Sequence, residues 1–361
     1  MKNYLILIIG SIVLFSCVHH PNPSPDSIED YKLKFSSTGK LEEMKKGVYG
    51  MGYTTDGKYL YGINGSVMGH FIKSGISTGS MKQSGEYVGG TNTRRVTLSN
   101  PTAHLFRYSI EDDKWSVIPN ILKPKKYTSA EFVNGKIYVF NGQESEFNDN
   151  RDYRTAVKGV EIVDPYLSKV SIVKNNPNPV WYSGSAVWNN KIYTFGGALN
   201  ESQHSNKLHV LDTVNETWRR LTDMPEHKQT RGEIVNSVLY VFGGYNGTVL
   251  SKMHTYNIEK DEWQYIGKLP FGISANAITK HGDFIWLVGD YNRLSMVGAF
   301  NTKTNKFHVI KSNMMGRRHA GAEVIGNKLY IFGGNRESSG SFLTSIQAAD
   351  IIEIEKLLLQ E

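Results

Sequence analysis

Leu239-Tyr240-Val241-Phe242-Gly243-Gly244-Tyr245 is an apolar run that ends in a pair of glycines. A run of this length suits a buried β-strand, and the glycines suit a turn in which a side chain would collide with its surroundings. Five further stretches follow the same pattern, and they are residues 60–65, 137–142, 192–197, 285–290 and 329–334. Six copies along a chain of 361 residues indicate a repeat protein.

The segments around each run also recur. A segment of small residues precedes the run, as in Ser183-Gly184-Ser185-Ala186-Val187, and an alternating segment follows it, as in Lys252-Met253-His254-Thr255-Tyr256-Asn257. A large aromatic residue then holds the same place in four repeats: Trp115, Trp218, Trp263 and Phe307. The closing glycine position recurs every 44 to 77 residues, which is typical of the four-stranded blades of an all-β propeller.

These repeats resemble the kelch family, whose members carry a diglycine after the second strand and a tryptophan that opens the fourth. The resemblance covers roughly residues 31–355. The sequence departs from the family pattern where Asn-Gly or Gly-Asp replaces Gly-Gly, and where no tryptophan follows Asp164-Pro165 in the second repeat. The resemblance implies a six-bladed kelch-type β-propeller over residues 31–361.

The last repeat predicts only three strands, because few residues remain after Ala348 to Glu355. Near the start of the chain, the segment Tyr31 to Ser36 precedes the first repeat as Trp218 to Thr222 precedes the fourth. We therefore expect this N-terminal segment to supply the outer strand of the sixth blade and to close the ring, which removes an open sheet edge. In the alternative, Lys356 to Gln360 forms that strand.

The first 16 residues carry one charge, Lys2, and an apolar run from Tyr4 to Phe15, and we interpret them as a signal peptide. Leu14-Phe15-Ser16-Cys17 resembles a bacterial lipobox, which implies lipidation of Cys17 and an outer-membrane lipoprotein that faces the periplasm or the cell surface. Residues 17–30 contain several prolines and predict a flexible tether. The alternatives are an ordinary secreted protein and an uncleaved signal anchor.

Composition excludes several classes of function. Cys17 is the only cysteine, so one chain cannot build a disulfide framework or a cysteine-based metal site. The net charge of +7 comes from a mixture of both signs, which argues only weakly for nucleic-acid binding. We expect no cofactor, no metal and no nucleic-acid partner.

One face of the predicted propeller carries the candidate binding residues. Loops between second and third strands share a face with the connections between blades, and the loops 66–104 and 143–159 are long and polar. The candidates on this face are Arg151, Trp181, Tyr182, Arg231, Arg317, Arg318 and His319. Guanidinium groups grip carboxylates and aromatic rings stack on sugars, so this set predicts an acidic glycan or an envelope protein as partner. Alternatively, these are ordinary charged surface loops.

Three glutamates occupy one register position of the repeats. Glu131, Glu233 and Glu323 each lie seven residues before the tyrosine of the apolar run in the second, fourth and sixth repeats. Their strand should be the innermost of each blade, so we expect three carboxylates to face the central channel. There they would raise one another's pKa for acid–base work, bind a cation, or hydrogen-bond to neighbouring blades through water.

Two functions follow from these features. The first is a non-catalytic binding module, a lipid-anchored propeller that recognises a glycan or a protein. The second rests on a resemblance to the bacterial sialic-acid mutarotases, in the stretches Asn141-Gly142-Gln143-Glu144 and Arg154-Thr155-Ala156-Val157. That resemblance implies that Glu144 acts as acid and base while Arg154 holds the carboxylate of N-acetylneuraminate or a related acidic sugar.

Overall fold

The computed structural model describes residues 32–74, 88–90, 93–148, 151–173, 176–336 and 342–360. Strands dominate this part of the chain, and its one helix is α1 (Ile352–Leu358). Among the described residues, no helix is both long and apolar enough to cross a bilayer. The predicted signal peptide, the lipid attachment at Cys17 and the tether up to residue 30 lie outside the described residues.

The first repeat contains more strands than a single blade needs. Two short strands precede it, β1 (Lys32–Leu33) and β2 (Val48–Tyr49). Its own strands are β3 (Gly52–Thr55), β4 (Tyr59–Ile63), β5 (Ser66–Ser74), β6 (Val88–Gly90), β7 (Thr93–Pro101), β8 (Leu105–Ser109) and β9 (Lys114–Ile118). A four-stranded sheet forms in the order β3-β4-β8-β9, and a separate sheet forms in the order β2-β5-β7-β6.

The next three repeats each form a four-stranded antiparallel sheet in chain order. The second has β10 (Ser129–Val133), β11 (Lys136–Phe140), the added hairpin β12 (Gln143–Asn148) and β13 (Arg151–Ala156), then β14 (Val160–Asp164) and β15 (Lys169–Val173). The third has β16 (Gly184–Trp188), β17 (Lys191–Phe195), β18 (Leu208–Asp212) and β19 (Thr217–Arg220). The fourth has β20 (Gln229–Val235), β21 (Val238–Tyr245), β22 (Val249–Asn257) and β23 (Glu262–Lys268).

The last two repeats differ in strand number. The fifth has four strands, β24 (Ala277–His281), β25 (Phe284–Val288), β26 (Val297–Asn301) and β27 (Lys306–Val309). A two-residue strand β28 (Lys311–Ser312) follows. The sixth sheet has three strands, β29 (Gly321–Ile325), β30 (Lys328–Phe332) and β31 (Ile346–Asp350).

The first strands of the six sheets contact one another in order. β3 contacts β10, β10 contacts β16, and so on through β20 and β24 to β29, which contacts β3 in turn. We call the space that they surround the channel. Apolar layers fill the gaps between successive sheets, and one of them joins Trp286 of the fifth sheet, Tyr330 of the sixth and Tyr108 of the first. All-β repeats that pack in this way are those of a β-propeller.

The sequence pattern that defines the repeats has a direct structural counterpart. The second strand of each sheet is buried along nearly its whole length. At its end, Gly244 has a φ of +117°, and a Cβ there would lie 2.2 Å from the carbonyl oxygen of Gln229. Asn64 and Asn141 stand in for glycine in two repeats with φ values of 57° and 61°, which asparagine tolerates better than most residues.

The two segments predicted as long loops contain strands. Residues 66–104 include the paired strands β5 and β7, and residues 143–159 include the hairpin of β12 and β13. The segment Ser66 to Ser74 contains the β-branched and aromatic residues Val67, Phe71 and Ile72, which suit a strand even where glycine and serine are frequent. Residues 75–87, 91–92 and 149–150 of these segments lie outside the described part of the chain.

The N-terminal segment does not pair as predicted. β1 pairs in parallel with β28, and the sixth sheet has three strands. The described residues of the segment contact β31 through isolated hydrogen bonds of Ser36 and form no ladder with it. One of these bonds runs from the Ser36 N–H to the Ala348 carbonyl oxygen at 2.8 Å. The side chain of Asn313 instead binds both backbone groups of Phe35, at 2.7 and 3.0 Å. The alternative strand, Lys356 to Gln360, is also wrong, because helix α1 covers most of it.

Candidate binding pocket at the mouth of the channel

Five residues form a belt of hydrogen bonds at one end of the channel. Each lies two residues before a first strand and has a φ between 54° and 62°; they are Gly50, Tyr127, Tyr182, Ala275 and His319. Backbone hydrogen bonds of 2.6 to 3.0 Å join them. The N–H of Tyr182 donates to the carbonyl of Tyr127, and the N–H of Tyr127 donates to the carbonyl of Gly50. In the same way Gly50 donates to His319, and His319 donates to Ala275. We call these residues the collar. Left-handed φ values are costly for tyrosine and histidine, so the fold must hold them in place.

The fourth repeat departs from this arrangement. Its first strand, β20, starts at Gln229, which pairs with Tyr245, and the register shifts between Gln229 and Arg231. Such a bulge bends a strand and redirects its side chains. The guanidinium carbon of Arg231 lies 5.8 Å from the ring centroid of Tyr53 in the first strand of the first sheet. Arg231 therefore reaches from the end of the channel toward its centre.

A pocket of about 400 Å³ opens where the fourth repeat interrupts the collar. Four tyrosines line it: Tyr127, Tyr182, Tyr245 and Tyr291. The polar side chains in its wall are those of Gln229, Thr230, Arg231, Ser274, Asn276, Asn292 and His319. A cavity of this size whose wall combines aromatic rings with polar groups is typical of a ligand site.

Stacked rings give the pocket a rigid wall. The rings of Tyr127 and Tyr182 are nearly parallel, with centroids 4.1 Å apart. The His319 ring lies 5.3 Å from Tyr182 and 5.8 Å from Tyr127. Burial raises the pKa of both tyrosines above the usual value, so their hydroxyl groups stay protonated near neutral pH.

The charge in the pocket comes from arginine and not from histidine. Burial, with the nearby Arg318 charge, lowers the pKa of His319 to about 3. Its Nδ1 lies 3.1 Å from Oδ1 of Asn335, so the ring is held in place as a neutral group. The Arg318 guanidinium carbon lies 4.0 Å from the ring centroid of Tyr291. In the described part of the chain, Arg231 forms no ion pair within 4 Å, although its charge partly offsets the rise that burial causes in the pKa of the Glu131 carboxyl in the channel.

Three of the seven predicted face residues line this pocket: Tyr182, Arg231 and His319. Arg318 lies next to the pocket, through its contact with Tyr291. Trp181 is 5% exposed and its backbone pairs with Ala198, so it packs inside the protein. Only the backbone of Arg151 is described, in β13.

Arg317 is placed inside the fold and not on the binding face. Its side chain has no exposed surface, and it donates to the carbonyl oxygens of Met315, Gly333 and Ser345 at 3.0 to 3.1 Å. Further bonds reach the Ser345 hydroxyl and the Gln347 amide oxygen. Because adjacent residues of an extended chain point in opposite directions, Arg317 turns inward while Arg318 turns toward the pocket.

The residues expected for mutarotation lie in the second repeat and are not part of the pocket lining, although the Arg154 charge acts on Tyr127 of that lining. Glu144 forms an ion pair of 3.0 Å with Lys123, and Arg154 forms one of 3.0 Å with Glu201. They stand on neighbouring strands, since Glu144 pairs with Thr155 in the register of β12 and β13. Each side chain thus has an oppositely charged partner other than the second member of the proposed pair.

The three glutamates lie on first strands, and each is bonded to a neighbouring sheet. Glu131 accepts from Ser185 at 2.7 Å, Glu323 accepts from Thr279 at 3.1 Å, and Glu233 lies 3.4 Å from the Lys280 ammonium group. Burial raises the pKa of all three, and that of Glu131 reaches about 8 with help from the Glu233 charge. Among the described residues, no three acidic, histidine or cysteine side chains converge to hold a metal.

Sequence reasoning missed several pocket residues, including Tyr127, Gln229, Asn276 and Tyr291. A signal for two collar residues was present, because Tyr127 and His319 each lie four residues before a channel glutamate. The same count from Glu233 leads to Gln229, where β20 has already begun. The bulge itself left no recognisable pattern in the residues.

Comparison with known proteins agrees with this architecture. The KLHDC2/KLHL20/DRC7 Kelch-repeats domain family matches residues 80–290, more than half of the chain. The chain belongs to the kelch-repeat family. Kelch repeats thus account for the glycine-terminated second strands and for the four-stranded sheets.

Several relatives share this kelch region at low identity. Beta-scruin of Limulus polyphemus is 24% identical over 281 residues, which are 74% of this chain and 25% of that protein. Kelch-like protein 38 of Rattus norvegicus is 25% identical over 264 residues, or 67% of this chain and 42% of that protein. Kelch-like protein terF of Aspergillus terreus is 25% identical over 269 residues. The chain spans about a quarter of the length of the scruins that it matches.

Proposed function

We propose that this kelch protein is a binding module that takes a carboxylate of its partner into the pocket at the mouth of the channel. The observation that carries this proposal is the position of Arg231. It stands in the wall of an aromatic pocket and forms no ion pair with any carboxylate of the described residues. A partly desolvated guanidinium that forms no direct ion pair favours an anionic ligand, and a carboxylate matches its two parallel donors.

The tyrosines define what surrounds that carboxylate. Tyr127 and Tyr182 offer a stacked wall, and Tyr245 and Tyr291 are 37% and 46% exposed at the rim. Such rings bury the apolar face of a sugar or the aliphatic part of an acidic side chain. Kelch relatives support a protein as the source of the carboxylate, and an acidic glycan offers the same chemistry.

The six-bladed ring that positions the pocket is also part of this proposal. The six sheets form six blades of one ring, and the ring closes through contacts of β29 with β3 and through the hydrogen bonds between Phe35 and Asn313. Support also comes from the collar, whose bonds run from the third repeat through the first to the fifth. The lipid anchor at Cys17, and with it a place in a bacterial envelope, belongs to this proposal on the ground of the lipobox-like residues 14–17 alone.

A titration followed by NMR tests the function and separates the two sources. One arm uses N-acetylneuraminate and the other uses the blocked peptide acetyl-Gly-Glu-Gly-amide, each added to isotopically labelled protein. We expect at least one probe to shift the signals of pocket residues, and Arg231→Ala to weaken that probe at least about tenfold.

Arg219→Ala is the matched control, because Arg219 is an exposed arginine on the outer strand of the third sheet. It should leave the affinity of either probe unchanged. If neither probe shifts pocket signals in the unmodified protein, the proposal is wrong. Equal losses in the two arginine variants would also refute it, because they would indicate a general charge effect.

A further inference from the structure

Tyr182 is a partly buried tyrosine with an unusual hydroxyl group. Its oxygen is shielded from solvent and has no hydrogen-bond partner among the described residues. Other buried tyrosines are satisfied: the Tyr53 hydroxyl bonds to Ile278, that of Tyr61 to Asp56, and that of Tyr108 to Asp113. A buried hydroxyl without a partner costs stability, so its presence needs an explanation.

Packing does not explain it. The ring of Tyr182 stacks on Tyr127, and the left-handed backbone of the collar holds its position. Phenylalanine would make the same ring contacts without burying a polar group. The hydroxyl group therefore adds no stability to the unliganded fold beyond that which phenylalanine would give.

A second buried donor lies in the same region. Nε of Arg318 is also shielded and has no partner among the described residues. The guanidinium of Arg318 covers Tyr291, whose ring lies 6.4 Å from that of His319, and His319 in turn contacts Tyr182. Tyr182 and Arg318 thus each present a donor without an acceptor near His319. Two such donors indicate that an acceptor is missing there.

We propose that Tyr182 donates a hydrogen bond to an oxygen of the bound carboxylate while Arg231 binds the same carboxylate through its guanidinium. This inference rests on the proposed function, and it names Tyr182 as a residue that determines specificity. Burial raises the pKa of Tyr182, so the hydroxyl keeps its proton and acts as a donor. Both residues line the pocket. Because the hydroxyl is covered, the ligand reaches it by displacing a side chain of the rim. Of the two rim tyrosines, Tyr291 is more exposed than Tyr245 and is the candidate for this movement.

The proposal predicts a selectivity as well as an affinity. An ionised carboxylate accepts from both donors, whereas a primary amide presents an NH2 group to one of them. The pocket should therefore reject acetyl-Gly-Gln-Gly-amide, the uncharged counterpart of the glutamate peptide. Loss of the Tyr182 hydroxyl should reduce this discrimination between acid and amide, and it should also weaken the binding of the acidic probe.

The test compares Tyr182→Phe with the unmodified protein in two measurements. We expect the melting temperature to stay the same or to rise, because an unsatisfied buried group is removed. We expect the better of the two acidic probes to bind roughly ten- to a hundredfold more weakly, as is usual when a hydrogen bond to a charged group is lost. Tyr265→Phe on β23, where Tyr265 is 47% exposed, is the control and should change neither value.

Each outcome decides between the two proposals. If Arg231→Ala abolishes binding and Tyr182→Phe leaves it intact, the inference about Tyr182 fails and the carboxylate pocket stands. If neither acidic probe binds the unmodified protein, both fail. If Tyr182→Phe lowers the melting temperature by more than about 2 °C, the hydroxyl is already satisfied in the free protein, by an ordered water for instance, and the inference is refuted.

Discussion

The hydroxyl group of Tyr53 binds both backbone groups of Ile278, 225 residues further along the chain. It accepts from the Ile278 N–H at 2.8 Å and donates to the Ile278 carbonyl oxygen at 3.1 Å. Tyr53 belongs to the first sheet and Ile278 to the fifth, although β29 of the sixth sheet lies between β3 and β24 in the order of contacts. One side chain thus joins two non-adjacent first strands and satisfies an edge that no neighbouring strand covers.

Replacing Tyr53 by phenylalanine should therefore destabilise the protein. The change leaves the buried N–H and carbonyl of Ile278 without their partner, so we expect a loss of about 1–3 kcal/mol in the free energy of unfolding. Urea denaturation followed by circular dichroism measures it. Tyr265→Phe removes an exposed hydroxyl and should cost nothing. A loss below about 0.5 kcal/mol for Tyr53→Phe would show that the bonds contribute little.

The channel glutamates should make stability depend on pH. Burial and the charge of Glu233 raise the pKa of Glu131 to about 8, above its value in the unfolded chain. The folded state therefore holds a proton that the unfolded state releases, so this stabilising contribution is complete below the unfolded-state pKa and is lost as the pH rises through about 8.

We expect the free energy of unfolding to fall by about 1–2 kcal/mol between pH 6 and pH 9. The expected fall is small because solvent screens the Glu131 side chain, which is only half-buried. Glu131→Gln should flatten this part of the profile, because glutamine has no proton to release. Urea titrations at several pH values provide the measurement. An unchanged slope in Glu131→Gln would mean that another group titrates there.

Arg317 should be essential for stability and not for binding. Its donors bind three carbonyl oxygens and two side chains in the interior, and burial lowers its pKa to about 10, which still leaves it charged at neutral pH. Arg317→Met should cost about 3–5 kcal/mol, since several buried acceptors lose their donor at once. Arg219→Ala should stay within about 0.5 kcal/mol. A soluble, stable Arg317→Met protein that loses its ligand would reverse this assignment.

The proposed closure of the ring predicts a role for Asn313 in stability. Its side chain occupies the place of a neighbouring strand by binding the N–H and the carbonyl of Phe35. Asn313→Ala should lower the free energy of unfolding by about 1–3 kcal/mol. Asn313→Asp keeps the acceptor but loses the donor and places a carboxylate against the Phe35 carbonyl, so it should be no more stable than the alanine variant.

Hydrogen exchange supplies a second readout for the closure. If Phe35 and Asn313 close the ring, Asn313→Ala should raise the exchange rate of the amides of β31 and of residues 32–36 more than that of β17 in the third sheet. Uniform acceleration over all sheets would indicate a global loss of stability with no special role for the junction.

Part of the site follows from local pattern. The repeat length, the glycine positions and the apolar second strands indicate a propeller, because the burial of every second strand imposes the same residue types in each repeat. Counting along the same register placed Glu131, Glu233 and Glu323 on first strands. The position of the connections between repeats placed Tyr182, Arg231 and His319 on one face, and all three line the pocket.

Other features depend on contacts between distant residues. Neither the bulge in β20, which depends on the pairing of Gln229 with Tyr245, nor the orientation of Arg317 has a marker in the neighbouring residues. At the junction of the two ends, the side chain of Asn313 binds both backbone groups of Phe35 where a strand was expected. The last apolar residues form helix α1, in which Glu355 accepts from Trp286 and contacts His281 of the fifth sheet.

The residue pattern alone therefore determined the repeat, its strand order and the first-strand position of the glutamates, since each depends on interactions within a few dozen residues. The tertiary structure decided which arginine enters the pocket, where the collar is interrupted and which hydroxyl is left without a partner. These depend on residues from all six repeats that meet at one end of the channel. Only the packing of the six sheets against one another brings them together.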